Sequence, residues 1–199
     1  MKPVRMADCV GLWRRTLLID TDGSSDATTD VRWLQGRTAF VDLRRPADPQ
    51  AWDGFAGWLR QDGDVFTWDR FAGLQAQDNP DAGRMHWDGD TLVETGVHAD
   101  YVEHWVLEPA PGPCWALSLS APGEQALLVR VGELFGWASS GAGTTEISLG
   151  AVADASWRIT DSSDPTRHGV DLAPRVQGSE LAVTDRIWTI TDSEGEVEP

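Results

Sequence analysis

The stretch Arg84–Leu107, RMHWDGDTLVETGVHADYVEHWVL, decides how this chain folds. Apolar and polar residues alternate through it with period two, the pattern of strands with two unlike faces. Asp88–Gly89 is the acid–glycine pair that suits a tight hairpin turn. With Asp88–Gly89 as the central turn residues, Trp87 opposes Asp90 and Met85 opposes Leu92. With Gly89–Asp90 central, Trp87 opposes Leu92 and Met85 opposes Glu94. Both registers put Met85 and Trp87 on the face of Leu92 and Glu94. A second two-residue turn is expected at Ala99–Asp100, so that His98 opposes Tyr101, Gly96 opposes Glu103 and Glu94 opposes Trp105. Opposed residues share a face. One face therefore carries Met85, Trp87, Leu92, Glu94, Gly96, His98, Tyr101, Glu103, Trp105 and Leu107. The other carries His86, Val93, Thr95, Val97, Val102, His104 and Val106.

The same period runs outward in both directions. Gly11–Asp20 reads as a first strand, followed by a turn-rich connection, Thr21–Asp30. Val31–Gln35, Arg37–Leu43 and Asp64–Phe71 read as further strands. The stretch RRPADPQAWDG interrupts them with Pro46 and Pro49, and Phe55–Arg60 fits either a helical turn or a short strand. Beyond the stiff run PAPGP, 109–113, come Cys114–Ser120, Gln125–Val131, Leu134–Ala138, Thr145–Leu149, Ser156–Thr160, Leu181–Thr184 and Arg186–Thr191. Many short strands with regular turn signals predict an all-β fold with little helix, an antiparallel barrel of roughly ten or more strands. A single barrel domain is expected over 8–192, with 109–113 as its candidate division and 193–199 as an acidic, disordered tail.

Composition narrows the function. The chain has 199 residues with 32 acids against 16 bases, a net charge of −16. Such a surface repels phosphate backbones and anionic lipid, so no nucleic-acid or membrane partner is expected. No apolar run reaches the roughly 18 residues that span a bilayer, and MKPVRMADCV lacks the apolar core of a secretory signal, so a cytoplasmic location is expected. Lys2 is the one lysine, at a terminus expected to fray, which leaves Schiff-base chemistry without a candidate. Cys9 and Cys114 form no redox or metal motif and are expected as free thiols. The four histidines show no metal-ligand spacing, so neither a metal nor an organic cofactor is expected.

Tryptophan is the strongest compositional signal, with eleven residues against one tyrosine and five phenylalanines. They recur along the whole chain, about one per strand. Wide rings with one N–H donor fill a core and also line a cavity. The face containing Trp87 and Trp105 adds Glu94, Glu103, His98 and Tyr101, an apolar wall with a polar centre. If the valine face were the core instead, two tryptophans, a methionine and two leucines would sit in water, the less economical arrangement. Two carboxylates in a poorly solvated cavity cannot both ionise cheaply, so one pKa is expected to rise.

Two readings follow for this cavity. In the first, a barrel binds a small, largely apolar or aromatic molecule, with Met85, Trp87, Leu92, Trp105 and Arg70 as ligand-binding residues. In the second, the same cavity is the site of a cofactor-independent isomerase, cyclase, dehydratase or hydrolase. Glu94 or Glu103 is then the general acid or base, and His98 or Tyr101 its proton partner. The partner is a small molecule in both, and the chain a monomer or homodimer. An acidic interaction module with unpaired strand edges is a third class. Arg70 fits a strand-end ion pair with Asp69 or a ligand clamp. Gln75, Gln77, Asp78 and Asp81 fit a cavity rim or turn caps.

Gly11-Leu12-Trp13 at the start of the first strand resembles the GxW of lipocalin-like barrels, the calycins. In those barrels the tryptophan closes one end beneath a late-strand arginine, for which Arg158 and Arg186 are the candidates. The run from Asp81 to Pro109 resembles the central part of the Hri-type barrel proteins. The matching residues are Glu94-Thr95-Gly96, then Glu103 and Trp105. About 30 of the 199 residues are covered. The resemblance implies a lipocalin-like β-barrel and no particular activity.

Overall fold

The computed structural model describes residues 2–45, 52–77 and 79–198. The expected break at Pro46 and Pro49 and the expected turn residue Asp78 lie outside them. A four-residue helix, α1 (Met6–Cys9), leads into a first sheet. Its strands are β1 (Gly11–Ile19), β2 (Ser25–Asp26), β3 (Asp30–Gln35), β4 (Ala39–Arg45), β5 (Asp53–Asp62), β6 (Val65–Gly73), β7 (Asp81–Asp88), β8 (Thr91–Gly96) and β9 (Val102–Glu108). The second sheet holds β10 (Cys114–Ala121), β11 (Glu124–Val131), β12 (Leu134–Gly141), β13 (Thr144–Ala153), β14 (Ser156–Ser162), β15 (Arg175–Gln177), β16 (Glu180–Val183) and β17 (Arg186–Glu194). FAGWLR, left open between helix and strand, lies within β5.

The chain is all-β, and its first sheet closes on itself. β1 pairs with β3 on one side and with β9 on the other, so β1 and β3–β9 form an eight-stranded antiparallel barrel. Eight strands leave an interior just wide enough for side chains to fill, or for one small ligand. The second sheet, in the order β14-β13-β12-β11-β10-β17-β16-β15, stays open as a half-barrel. The first sheet ends at Glu108 and the second begins at Cys114, on either side of PAPGP. Tight turns set the half-barrel meander. Ala142–Gly143 and Asp154–Ala155 place two successive residues at positive φ, the twist that a two-residue hairpin turn needs.

Strand alternation sorts the side chains into three cores. Val41 and Leu43 of β4 point out of the barrel and meet Leu127, Val129 and Ile147 of the half-barrel. Phe40 of the same strand points inward to Trp33, Phe55, Phe66, Met85 and Trp105. The other face of the half-barrel buries Trp115, Trp137, Trp157 and Trp188 with Leu172 and Leu181. Most of the tryptophans thus fall in the barrel interior or on the far face of the half-barrel, while Trp52 and Trp58 pack at the contact between the sheets.

Both ends of the ordered chain reach past the expected boundaries at 8 and 192. Val4 and Cys9 are buried in the barrel core, and Gln61 of β5 holds the segment. Its side chain accepts from the Met6 N–H at 3.0 Å and donates to the Val4 carbonyl at 2.9 Å. The expected fraying at this terminus is therefore replaced by a plug over one end of the barrel. At the other end of the chain, β17 runs on to Glu194 and so takes in Ser193 of the expected tail. The Glu194 carboxylate accepts from the backbone N–H groups of Thr38 and Ala39 and ties the half-barrel to the barrel.

Trp13 lies at the plugged end, stacked on Trp33 with centroids 5.7 Å apart, and donates to the Cys9 carbonyl at 2.6 Å. Neither expected arginine covers it. Arg158 and Arg186 belong to the half-barrel, where Arg158 donates to the Gly169 carbonyl and Arg186 pairs with Glu124.

The contact between the two sheets leaves no slack at Gly136. A Cβ there would lie 2.7 Å from the Cβ of Val41, an atom fixed to the barrel backbone. Gly136→Val should therefore destabilise the protein by about 1–3 kcal/mol through over-packing, measured as a lowered midpoint of urea unfolding. An unchanged midpoint would show that the two sheets part freely.

Candidate functional site

The face carrying Met85, Leu92, Glu94, Glu103 and Trp105 is the inner face of the barrel. The first hairpin takes the register with Gly89–Asp90 central, so Trp87 opposes Leu92 and Met85 opposes Glu94. The second hairpin differs from expectation. Ala99–Asp100 has no glycine to supply a tight two-residue turn, and the chain uses a four-residue loop, Val97–Asp100. Gly96 N–H donates to the Tyr101 carbonyl at 3.0 Å across its base. Pairing slides by two residues, so Glu94 opposes Glu103 and Leu92 opposes Trp105. A slip of two leaves every residue on its expected face but brings the two carboxylates side by side. Gly83 opens the space they need, since a Cβ there would lie 2.6 Å from Cγ of Glu94. Gly96 does the same for the Tyr101 ring.

These residues reach a cavity of about 270 Å³ at the end of the barrel opposite α1. Its lining includes Trp33, Phe55, Trp68 and Trp105 as aromatic walls, with Leu18 and Asp20 at the lip. Of the expected site residues, Glu94, Glu103, Tyr101, Trp105 and Arg70 line it. Met85 and Leu92 are instead packed into the apolar core beneath, and Trp87 lies beside Trp13 near the plugged end. They fill the barrel rather than face a ligand. His98 sits exposed in the four-residue loop, away from the cavity, and cannot serve as its proton partner. Leu107 is 48% exposed at the rim.

Asp20, Asp42, Arg44 and Asp81 complete the polar lining, and Arg15 reaches it through Glu103. The alternation of β4 carried a signal for two of them, because Phe40, Asp42 and Arg44 share the face opposite Val41 and Leu43. The charges are organised in pairs. Arg15 donates to Glu103 at 2.6 Å and to Asp26 at 3.1 Å. Arg44 donates to Asp42 at 2.9 Å. Arg70 pairs with Asp81 and lies 3.3 Å over the Phe55 ring, with its Nε buried and unpartnered. It does not pair with Asp69, which holds Arg60 at 2.7 Å instead. Among the described residues no three His, Cys, Asp or Glu side chains are grouped to hold a metal.

Glu94 and Asp20 stand outside this pairing, and Glu94 is the buried one. It is 3% exposed and accepts from the Tyr101 hydroxyl at 2.7 Å and from Trp105 Nε1 at 3.2 Å. None of the ion pairs among the described residues includes it. Burial first, and then the neighbouring Glu103, hold its carboxyl well above the ordinary range, against the pull of the Tyr101 hydrogen bond. Burial likewise pushes Asp42 up to about 6, although Arg44 opposes it.

The cavity and its frame define the protein as a closed antiparallel barrel of lipocalin-like fold, with a charged, half-aromatic pocket at one end and a half-barrel on its flank. The whole chain is similar in structure to the uncharacterised protein YLR301w from Saccharomyces cerevisiae. The TM-score is 0.69 at 12% identity, over 92% of this chain and 98% of that one. At that identity the likeness is one of fold alone. No family model matches the chain, and no curated protein is similar to it in sequence. No helix among the described residues is long and apolar enough to cross a membrane.

The two glutamates should respond differently to loss of charge. Removing one partner of a buried pair leaves the other uncompensated, so Glu103→Gln should destabilise by about 3 kcal/mol. Glu94→Gln removes a carboxylate with no cation beside it and keeps groups that can bond Tyr101 and Trp105. It should be neutral or stabilising near pH 7 in about 0.5 M salt, which screens the surface charge. The sign of the pH effect follows. A carboxyl with a raised folded pKa binds its proton more tightly when folded, so stability falls as pH rises from about 4 through the folded value. Glu94→Gln should flatten that fall in thermal unfolding midpoints; a curve as steep as the wild type's would assign it to other groups.

Proposed function

We propose that this chain is a small-molecule-binding barrel whose ligand enters at the open end and rests between Glu94, Tyr101 and the Trp33–Trp68–Trp105 wall. The observation that carries this reading is Glu94 itself. A buried carboxyl outside any ion pair, in a cavity where Glu103, Asp42 and Asp81 each hold an arginine, costs stability unless the site has a use for it. The cavity size and its charged lining favour a compact version of the expected ligand. With charged groups around much of its lining, about 270 Å³ suits a compact molecule with polar groups rather than a large apolar one. The kinship with lipocalin-like and Hri-type barrels belongs to the same proposal, supported by the closed barrel and by the place of Glu94, Glu103 and Trp105 at its pocket. So do a cytoplasmic setting, supported by the lack of an apolar run long enough to span a bilayer, and the absence of polyanionic partners, supported by the charge of −16.

The hydrogen bond between Glu94 and Tyr101 favours a second reading, proton transfer to or from a bound substrate. Glu94→Gln separates the two, because it would abolish turnover of a bound compound while leaving the cavity in place.

Native mass spectrometry of the purified protein against a pool of small polar aromatics should detect a one-to-one complex, and the same compound should shift tryptophan emission. Leu18→Trp, which narrows the lip, should weaken binding at least tenfold with little change in unfolding midpoint. Binding that survives a blocked lip would place the ligand elsewhere.

A further inference from the structure

The cavity separates its charges in a way that selects among ligands. Arg15, Arg44 and Arg70 are each engaged by a carboxylate, namely Glu103, Asp42 and Asp81. Among the described residues each of these arginines already holds a carboxylate, although Arg70 keeps an unpartnered Nε. Asp20 adds a further negative charge at the lip, which is already the entry path. An anionic ligand would therefore have to share an arginine with the carboxylate already on it and pass Asp20 at the lip. A cation meets the reverse situation. Glu94 accepts only two neutral donors, and a carboxylate has room for about four hydrogen bonds. The aromatic faces around it attract positive charge as well. The cavity shows this preference internally, since the Arg70 and Arg44 guanidinium groups lie 3.3 and 5.0 Å from the Phe55 centroid.

Resting on the binding reading above, we propose that the ligand is a compact organic monocation, a primary or secondary ammonium attached to a flat or aromatic body. The ammonium donates to Glu94, and the flat part lies along Trp33, Trp68 and Trp105. Binding then has a proton balance. Any proton that Glu94 holds in the empty site passes to the buffer as the ammonium arrives, so the cation takes the proton's place beside the carboxylate. The groups facing Glu94 shape this exchange from every side. Tyr101 and Glu103 flank it, Asp81 faces it from β7, Arg44 from β4, Arg15 stands behind Glu103 on β1, and the Cys9 thiol lies below on α1. The carboxylates hold the proton on in the empty site, and the arginines help release it once a cation is present.

Calorimetry with benzylammonium, tryptamine, benzyl alcohol and benzoate near pH 7 tests the proposal. The two ammonium probes should bind at least tenfold more tightly than benzyl alcohol, and benzoate should not bind. Repeating the titration in buffers of different ionisation heat should show proton release with wild type. Glu94→Gln, checked for fold by circular dichroism, should lose the tenfold preference and the proton release. If that variant does not fold, the wild-type preference decides alone: tenfold tighter binding of the ammonium probes than of benzyl alcohol supports the proposal, and its absence overturns it. Equal or tighter binding of benzyl alcohol or benzoate overturns the cation while leaving a binding cavity. If none of the four probes binds, the cation proposal falls, and the binding reading stands or falls with the native mass spectrum and the blocked-lip variant.

Discussion

The seam between β1 and β9 is the constraint on which the remaining structure depends. It joins Leu12–Ile19 to Val102–Glu108 and turns a meander of neighbours into a closed cylinder. Closure satisfies the backbone groups that an open sheet would leave at its edges. It also places Arg15 of β1 against Glu103 of β9, 88 residues apart in the chain, in a pair that water barely reaches. Such a pair gives little net stability over an apolar substitute, but each partner is costly without the other. The pair therefore holds one register of the seam. A one-residue slip would turn Arg15 outward and bring Arg14 or Thr16 to the carboxylates in its place.

Closure divides the interior by height. The plugged half is solid, because Trp13, Trp33, Met85, Leu92 and the α1 segment fill it. The open half is charged, because Asp42, Arg44, Arg70, Asp81, Glu94 and Glu103 all lie one or two pleats further along their strands. Strand tilt brings these positions to one level although they come from five different strands. The half-barrel is packed outside this cylinder through Val41, Leu43 and their partners, so it supports the wall from behind without entering the cavity.

The period-two pattern made the fold class legible. The inner face of Arg84–Leu107 was legible too, because the direction of a side chain depends only on parity, and both expected turns kept parity. The contact between Glu94 and Glu103 was not, because it depends on loop length. Ala99–Asp100 contains no residue that marks a four-residue loop, so Glu103 and Trp105 exchange places opposite Glu94. Arg15 was hidden for a different reason. Its partner is set by the seam, and a doublet such as Arg14–Arg15 shows one inward and one outward residue only once the neighbouring strand is known. The tryptophans misled by their number. Most of them fill two separate cores, and only Trp33, Trp68 and Trp105 reach the cavity.

The distance spanned by the seam also orders events in time. From β4 to β9 each strand pairs with the strand just before it, so most of the cylinder can assemble through short loops. The last join must wait for β9 and then close a loop of about ninety residues, the slowest kind of contact to make. During synthesis at about 5–20 residues per second, β1 therefore spends several seconds with one edge unpaired. An exposed edge of this kind is where chaperones engage and where misassembly between neighbouring chains begins. The polar and charged residues of β1, Arg14, Arg15 and Thr16, guard that edge until the cylinder shuts.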